Sequence, residues 1–125
     1  MSITTSTPTI QEVAARFHAL AQQEKWFEIQ DEFFSEDIQS IEPPTATHLQ
    51  SASGKAAVRR KAEDWVKRIT DFHRGATTAP VIGGDFFAVG REMEITVAGI
   101  GRLQSNQIML YEVKDGLIIR EQFFY

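Results

Sequence analysis

No cysteine occurs in the chain. That excludes disulfides, thiolate zinc sites and cysteine nucleophiles together, and it fits a cytoplasmic protein without requiring one. No apolar run approaches the roughly 20 residues of a membrane-crossing helix, so no membrane partner is expected. Basic charge is short as well: 13 Lys and Arg stand against 17 Asp and Glu, a net charge of -4. A phosphate-tracking surface carries a basic excess, so nucleic acid is not an expected partner. A Gly-rich phosphate cradle and the nucleophile elbow of hydrolases are both missing; Gly83-Gly84 and Gly99-Ile100-Gly101 are spaced as hairpin glycines. His18, His48 and His73 show no ligand spacing, so neither a metal nor a cofactor is expected. Residues 1–7 are rich in Ser and Thr and lack the basic start and apolar core of a secretory signal. They read as a disordered tail before one domain over 8–125.

What is present is an ordinary globular balance, 42% hydrophobic and 24% charged over 125 residues, enough for one core. Thr9-Ile10-Gln11-Glu12 reads as a capping box, and Val13, Ala14, Phe17, Leu20 and Ala21 follow at helical spacing. A second helix is expected over 25–34 with Trp26, Ile29 and Phe33 inside. A short strand over 37–42 ends at Pro43-Pro44, because proline lacks the ladder N–H. Ser53 is the expected N-cap of a third helix reaching about residue 69, with Val58, Ala62, Trp65, Val66 and Ile69 as its inner stripe. Its basic residues Arg59, Arg60, Lys61, Lys67 and Arg68 read as a solvated outer face. Long strands follow over 72–82, 86–97, 102–113 and 117–125, with Asp115-Gly116 placed as a tight hairpin turn. Helices first and a meander afterwards predict an α+β domain.

Within that order, the segment 36–43 and then Ser53-Gly54-Lys55-Ala56-Ala57-Val58 resemble an acid-Pro strand end followed by a Ser-Gly-basic helix start. Val113-Lys114-Asp115-Gly116-Leu117-Ile118, with Phe123, Phe124 and Tyr125 beyond it, resembles a closing hairpin with an aromatic end. Together these resemble the nuclear transport factor 2 superfamily, which includes ketosteroid isomerases and SnoaL-like polyketide cyclases. Residues 65–71, with Gly84-Asp85, resemble the SnoaL-like branch in particular. The resemblance implies a cone-shaped roll: a curved, mainly antiparallel sheet with the three helices of the N-terminal half packed on its concave face. It also implies a homodimer through the outer sheet face, where Ile82, Phe86, Ala88, Leu103, Ile118 and Phe124 are the apolar outward positions.

Strand alternation sharpens the site. Phe87, Val89, Arg91, Met93, Ile95 and Val97 share the inward face of 86–97, and Arg91 is its one charge. Glu121 shares a face with Ile119, Phe123 and Tyr125. Arg91 and Glu121 are therefore candidates for a buried pair or a pocket dyad. Alignment on the isomerase ending turns Asn106 inward with Ile108 and Leu110. Glu42, just before proline, resembles the isomerase general base; in solvent it would be an ordinary strand-end glutamate. The isomerase mechanism also uses a tyrosine and a protonated aspartic acid. Phe17 and Ile108 align with these and cannot donate, which argues against ketosteroid isomerisation.

The expectation is a protein holding a small, largely apolar ligand in the cone, with acid–base chemistry if it is an enzyme. Glu42 or Glu121 would accept the proton, Glu42 being the better base if Arg91 engages Glu121. Arg91 and Asn106 would stabilise negative charge. Phe17, Trp26, Trp65, Phe87, Met93, Phe123 and Tyr125 would shape the cavity, and His48 would overhang its mouth. A non-catalytic dimeric binding module and a cone filled by its own aromatics are the alternatives.

Overall fold

A computed structural model describes residues 6–125; the part of the expected tail over 1–5 lies outside the described residues. The chain runs α1 (Ile10–Gln22), α2 (Trp26–Phe33), β1 (Phe34–Ile41), β2 (Ala52–Ser53), α3 (Lys55–Arg68), β3 (Ile69–Thr77), β4 (Val81–Gly83), β5 (Phe86–Val97), β6 (Gly101–Lys114) and β7 (Leu117–Phe124). The strands form one curved, unclosed sheet in the order β2-β1-β7-β6-β5-β3, with β4 beside β5. Every pairing is antiparallel except β1 with β7. Among the described residues no helix is long and apolar enough to cross a membrane.

The first helix starts as its sequence dictates. Thr9 Oγ1 accepts from the Glu12 N–H and the Thr9 N–H donates to Glu12 Oε1, which satisfies two of the N–H groups a helix start leaves orphaned. Its Val13, Ala14, Phe17, Leu20 and Ala21 are buried in the core with Ile29, Phe33 and Ile38, against Phe87, Val89, Met109, Tyr111 and Val113 of the sheet. Burying a side chain such as Phe17 contributes on the order of 1.5–3 kcal/mol, so this stripe holds α1 on the sheet.

Three of the differences from the sequence expectation have local reasons. The N-cap of α3 is Gly54 at φ 91°, because Ser53 is held in β2 opposite Gln39. The expected strand 72–82 is two strands. Leaving α3, the chain turns extended at Ile69 and β3 ends at Thr77, where Thr78 bonds both backbone groups of Gly90 through its own N–H and hydroxyl. Pro80, which has no N–H, then separates β4. Third, β7 carries a register shift, since Glu112 pairs with Arg120 while Val113 pairs with Ile118. That bulge turns Ile118 into the core, fully buried, rather than outward as expected. Leu103 likewise lies on the inner side and lines a cavity.

The Asp115-Gly116 hairpin forms as read, with φ of 51° and 74° at its two central residues. A Cβ on Gly116 would stand 2.8 Å from Pro8 Cδ and 3.0 Å from Thr7 Cγ2. Gly116→Ala is expected to lower the unfolding free energy by about 1–3 kcal/mol, measured by thermal or urea unfolding. Gly83→Ala, whose added methyl meets nothing within 4 Å, is expected to stay near wild type.

Candidate functional site

The inner face of the sheet and helices α2 and α3 enclose a cavity of about 1150 Å³ that opens to solvent. The cone is therefore not filled by its own aromatics. Phe17, Phe87 and Tyr111 pack on one another with ring centroids 4.7 to 5.1 Å apart. Of these, Tyr111 reaches the cavity wall, while Phe17 and Phe87 lie in the core behind it, which corrects their expected place on the wall. Trp26, Trp65, Met93, Phe123 and Tyr125 do line it. His48, in the loop after β1, stacks on Trp65 at 6.5 Å and borders the same space.

Arg91 and Glu121 do not pair. Arg91 of β5 stands opposite Gln107 of β6, and Glu121 of β7 stands opposite Tyr111. Four residues along β6 and two strand spacings put their Cα atoms on the order of 16 Å apart on a flat sheet. Arg91 instead holds Glu24, at 2.6 and 2.8 Å in a two-pronged pair, from the turn between α1 and α2 where Glu24 adopts φ 57°. The guanidinium also donates to Thr77 Oγ1 at 3.2 Å and sits 4.9 Å from the Trp26 ring centroid. Trp26 Nε1 donates to Glu24 in turn, at 2.9 Å. Burial pushes the Glu24 carboxyl up, but the hydrogen bonds from Arg91 and Trp26 and the Arg91 charge outweigh it and hold Glu24 below its ordinary value. A β-carbon at Gly75 would fall 2.5 Å from Phe72 Cζ and 3.0 Å from Arg91 Nη1, so this position suits a glycine.

A second polar group occupies the wall formed by β1, β7 and α3. The parallel register of β1 and β7 sets Ser40 beside Glu121. Glu42 follows at the strand end, buried rather than solvated, with its N–H bonded to Ser51 Oγ. Lys61 of α3 turns inward, not out to solvent as its basic neighbours suggested. It donates to Glu42 Oε2 and to Ser40 Oγ, both at 2.8 Å. Arg59 is also engaged, with Asp31 and over the Phe27 ring. The Tyr125 hydroxyl donates to the other Glu42 oxygen at 2.6 Å, and burial together with that bond raises the phenol above its ordinary value.

Both Glu42 oxygens are thus occupied, and one cation serves two carboxylates. Glu121 is the one left under-compensated. Burial pushes its carboxyl up to about 7; the Lys61 charge and the Ser40 hydroxyl work downwards, and the Glu42 charge adds to the rise. Glu121 is free of Arg91, so the condition under which Glu42 would be the better base is not met. Burial, then the Glu121 charge, also raises Tyr111 well above its ordinary value; its hydroxyl makes only a weak contact to Met109 Sδ at 3.8 Å.

Asn106 lines the cavity as expected, but it pairs across from Glu92 on the exposed face of the sheet rather than the inward one. The inward residues of β6 are Leu103, Ser105, Gln107, Met109, Tyr111 and Val113, so Ile108 faces out and Met109 takes the inward place. Sequence reasoning missed Lys61, Tyr111 and Ser40. Lys61 lay three residues after Val58 and four before Trp65, squarely on the inner stripe, but its charge masked the spacing.

This architecture, an open cone of helices on a curved sheet with a polar-walled cavity, defines a nuclear transport factor 2-like protein. The chain belongs to the SnoaL-like family, since the model of the SnoaL-like domain matches residues 8–125. A SnoaL-like protein from Mesorhizobium loti is 30% identical over 94% of this chain and 100% of its own, with a TM-score of 0.88. A nuclear transport factor 2-like protein from Burkholderia thailandensis shares the fold at 13% identity and TM-score 0.77, covering 94% of this chain and 90% of that one. So does a Catenulispora acidiphila protein with a ketosteroid isomerase-like fold, in complex with trimethylamine, at 13% identity and TM-score 0.68 over 91% and 85% of the two chains. No curated protein matches the sequence.

The raised Glu121 has a consequence for stability. Between its ordinary value and about 7, the folded chain keeps a proton that the unfolded chain has released. Stability therefore falls as pH rises through that window and levels off above it. Glu24 acts in the opposite sense: its contribution is lost only as pH falls below the ordinary carboxylate range. Melting temperatures from pH 5 to 8 are expected to decline in wild type relative to Glu121→Gln. The histidines common to both proteins cancel in that difference.

Proposed function

We propose that this protein takes a small, largely apolar organic molecule into the cone and moves a proton to or from it through Glu121. The carrying observation is a buried carboxyl, raised to about 7, on the wall of an open cavity and free of Arg91. A group poised near neutrality can both hold and release a proton at working pH, as general acid–base catalysis requires. Trp26, Trp65, Met93 and Phe123 offer apolar and aromatic surface to the ligand body. Arg91, already held by Glu24, contributes a neutral polar patch rather than a bare cation. Isomerisation, cyclisation, dehydration and hydrolysis all fit such side-chain chemistry.

We also propose that the molecule works as a homodimer through the outer sheet face. Ile108 and Phe124 are cross-strand partners there, 51% and 47% exposed, and Phe86 adds 38% on the neighbouring strand. Contiguous exposed apolar side chains of this kind mark interaction surfaces. Sedimentation or light scattering is expected to give twice the chain mass, and the double substitution Ile108→Lys with Phe124→Lys to give monomers with the same secondary structure.

The catalytic reading is tested with a panel of cyclic ketones, lactones and phenols, screened by quenching of the cavity tryptophans. For any member that turns over, Glu121→Gln is expected to lower kcat by about 10²–10⁴-fold with a small effect on KM. The wild-type kcat/KM should show a pH limb near 7. Ligands that bind wild type without any turnover would leave a binding module in its place.

A further inference from the structure

The Ser40 hydroxyl is fully buried and accepts a hydrogen bond from Lys61 Nζ at 2.8 Å. An ammonium can only donate, so the Ser40 hydrogen must find another acceptor. A buried hydroxyl hydrogen left unpaired bears the full cost of its lost solvation. The parallel register makes Ser40 and Glu121 neighbours on β1 and β7, and the Ser40 hydroxyl lowers the Glu121 carboxyl as a donor does. Both oxygens of Glu42, the other carboxylate of the group, are already taken by Lys61 and Tyr125.

We infer that Lys61 and Ser40 form a buried relay in which Lys61 donates to Ser40 and Ser40 donates to one oxygen of Glu121, so that the acidic proton of Glu121 sits on its other oxygen and faces the cavity. Ser40 and Lys61 are positioning residues: neither moves a proton itself, and both fix which end of Glu121 does. The inference rests on the reading of Glu121 as the proton carrier and adds a direction to it. In its neutral form Glu121 presents a donor, so the ligand group that meets it is a hydrogen-bond acceptor. The charged and titratable groups facing Glu121 are Lys61 from α3, Glu42 from the end of β1 and Tyr111 from β6; Tyr125 stands behind Glu42.

The ligand-free protein provides the test. Infrared difference spectra over pH 4–10 follow the protonated carboxyl band of Glu121, assigned by its loss in Glu121→Gln, and thermal melts check that each variant is folded. If Ser40 donates, it favours the carboxylate. Ser40→Ala should then raise the Glu121 midpoint, shifting the protonated fraction at pH 7 upward several-fold, and should raise the carbonyl stretching frequency. Lys61→Met should move the midpoint the same way, and exposed Lys67→Met should leave it in place. A fall in the midpoint of Ser40→Ala would mean that Glu121 donates to Ser40, its proton pointing away from the cavity, and would overturn the inference. An unmoved midpoint and band would overturn it equally. A wild-type midpoint at ordinary carboxylate values would instead remove the proton-carrier reading beneath it. As a second readout, the naphthyl ketone probe prodan, whose emission reddens when its carbonyl accepts a hydrogen bond, is added at pH 6. Red-shifted emission in wild type that is lost in Glu121→Leu supports the cavity-facing proton; identical emission in the two counts against it.

Discussion

The register of the β5–β6 ladder is the constraint on which the rest of the molecule depends. Its pairing runs without a break from Phe86 opposite Glu112 to Val97 opposite Gly101. Strand side chains alternate between faces, so this one register decides every inward residue of both strands, and a slip by one would invert them all. It sends Phe87, Val89, Ile95 and Val97 into the core with Arg91 and Met93 on the cavity side, and sets Met109, Tyr111 and Val113 across from them. It also fixes the distance between the two buried charges of the sheet. Arg91 cannot reach Glu121 from where the ladder holds it, so each must be satisfied locally.

The two solutions differ, and the difference gives the cavity its character. Arg91 recruits one carboxylate, from the turn at Glu24, and forms a closed pair braced by Trp26 and Thr77. On the opposite wall a single ammonium faces two carboxylates. Lys61 binds Glu42 directly, and Glu121 receives only its more distant field. Two buried carboxylates sharing one cation do not both ionise readily. Burial is the first cause of the raised Glu121 carboxyl; the shared Lys61 charge and the Ser40 hydroxyl offset it only in part, and the Glu42 charge adds to the rise. Moving Lys61 by one helical position would dissolve the arrangement.

Much of the fold was legible from the sequence because local signals and global pattern agreed. The Thr9 capping box, the α1 stripe, the inward face of β5 and the Asp115-Gly116 turn each had one physical reading, and the structure carries all four. The candidate site was legible in part. Arg91 and Glu121 were singled out as charges on apolar strand faces and Glu42 by its resemblance to an isomerase base, and all three are buried. Their partners were not readable, since partnership depends on register between distant strands. On β6 the phase was taken from an alignment with isomerases, and it placed Asn106 and Ile108 inside. The strand itself argued otherwise. Arg102, Glu112 and Lys114 all lie on the Asn106 face, whereas the Tyr111 face carries no charge. For β7, no periodic reading anticipates a bulge, and with it the turn of Ile118 into the core.

Lys61 shows why a family resemblance and a site are separate inferences. The fold places a helix of this length over the cone whatever its residues, and membership in the SnoaL-like family follows from the whole of 8–125. The chemistry follows from departures at single positions. Phe17, which the resemblance aligned with the isomerases' donor tyrosine, lies buried behind the wall. Yet a phenol and a raised carboxyl both line the cavity, as Tyr111 and Glu121, cross-strand partners on β6 and β7. Donors of those chemical types can be supplied by any inward strand positions, because what matters to a bound molecule is where a proton points and not which element bears it. Lys61, on the inner stripe of α3, is the cation that bonds Glu42 directly and lies in reach of Glu121's charge.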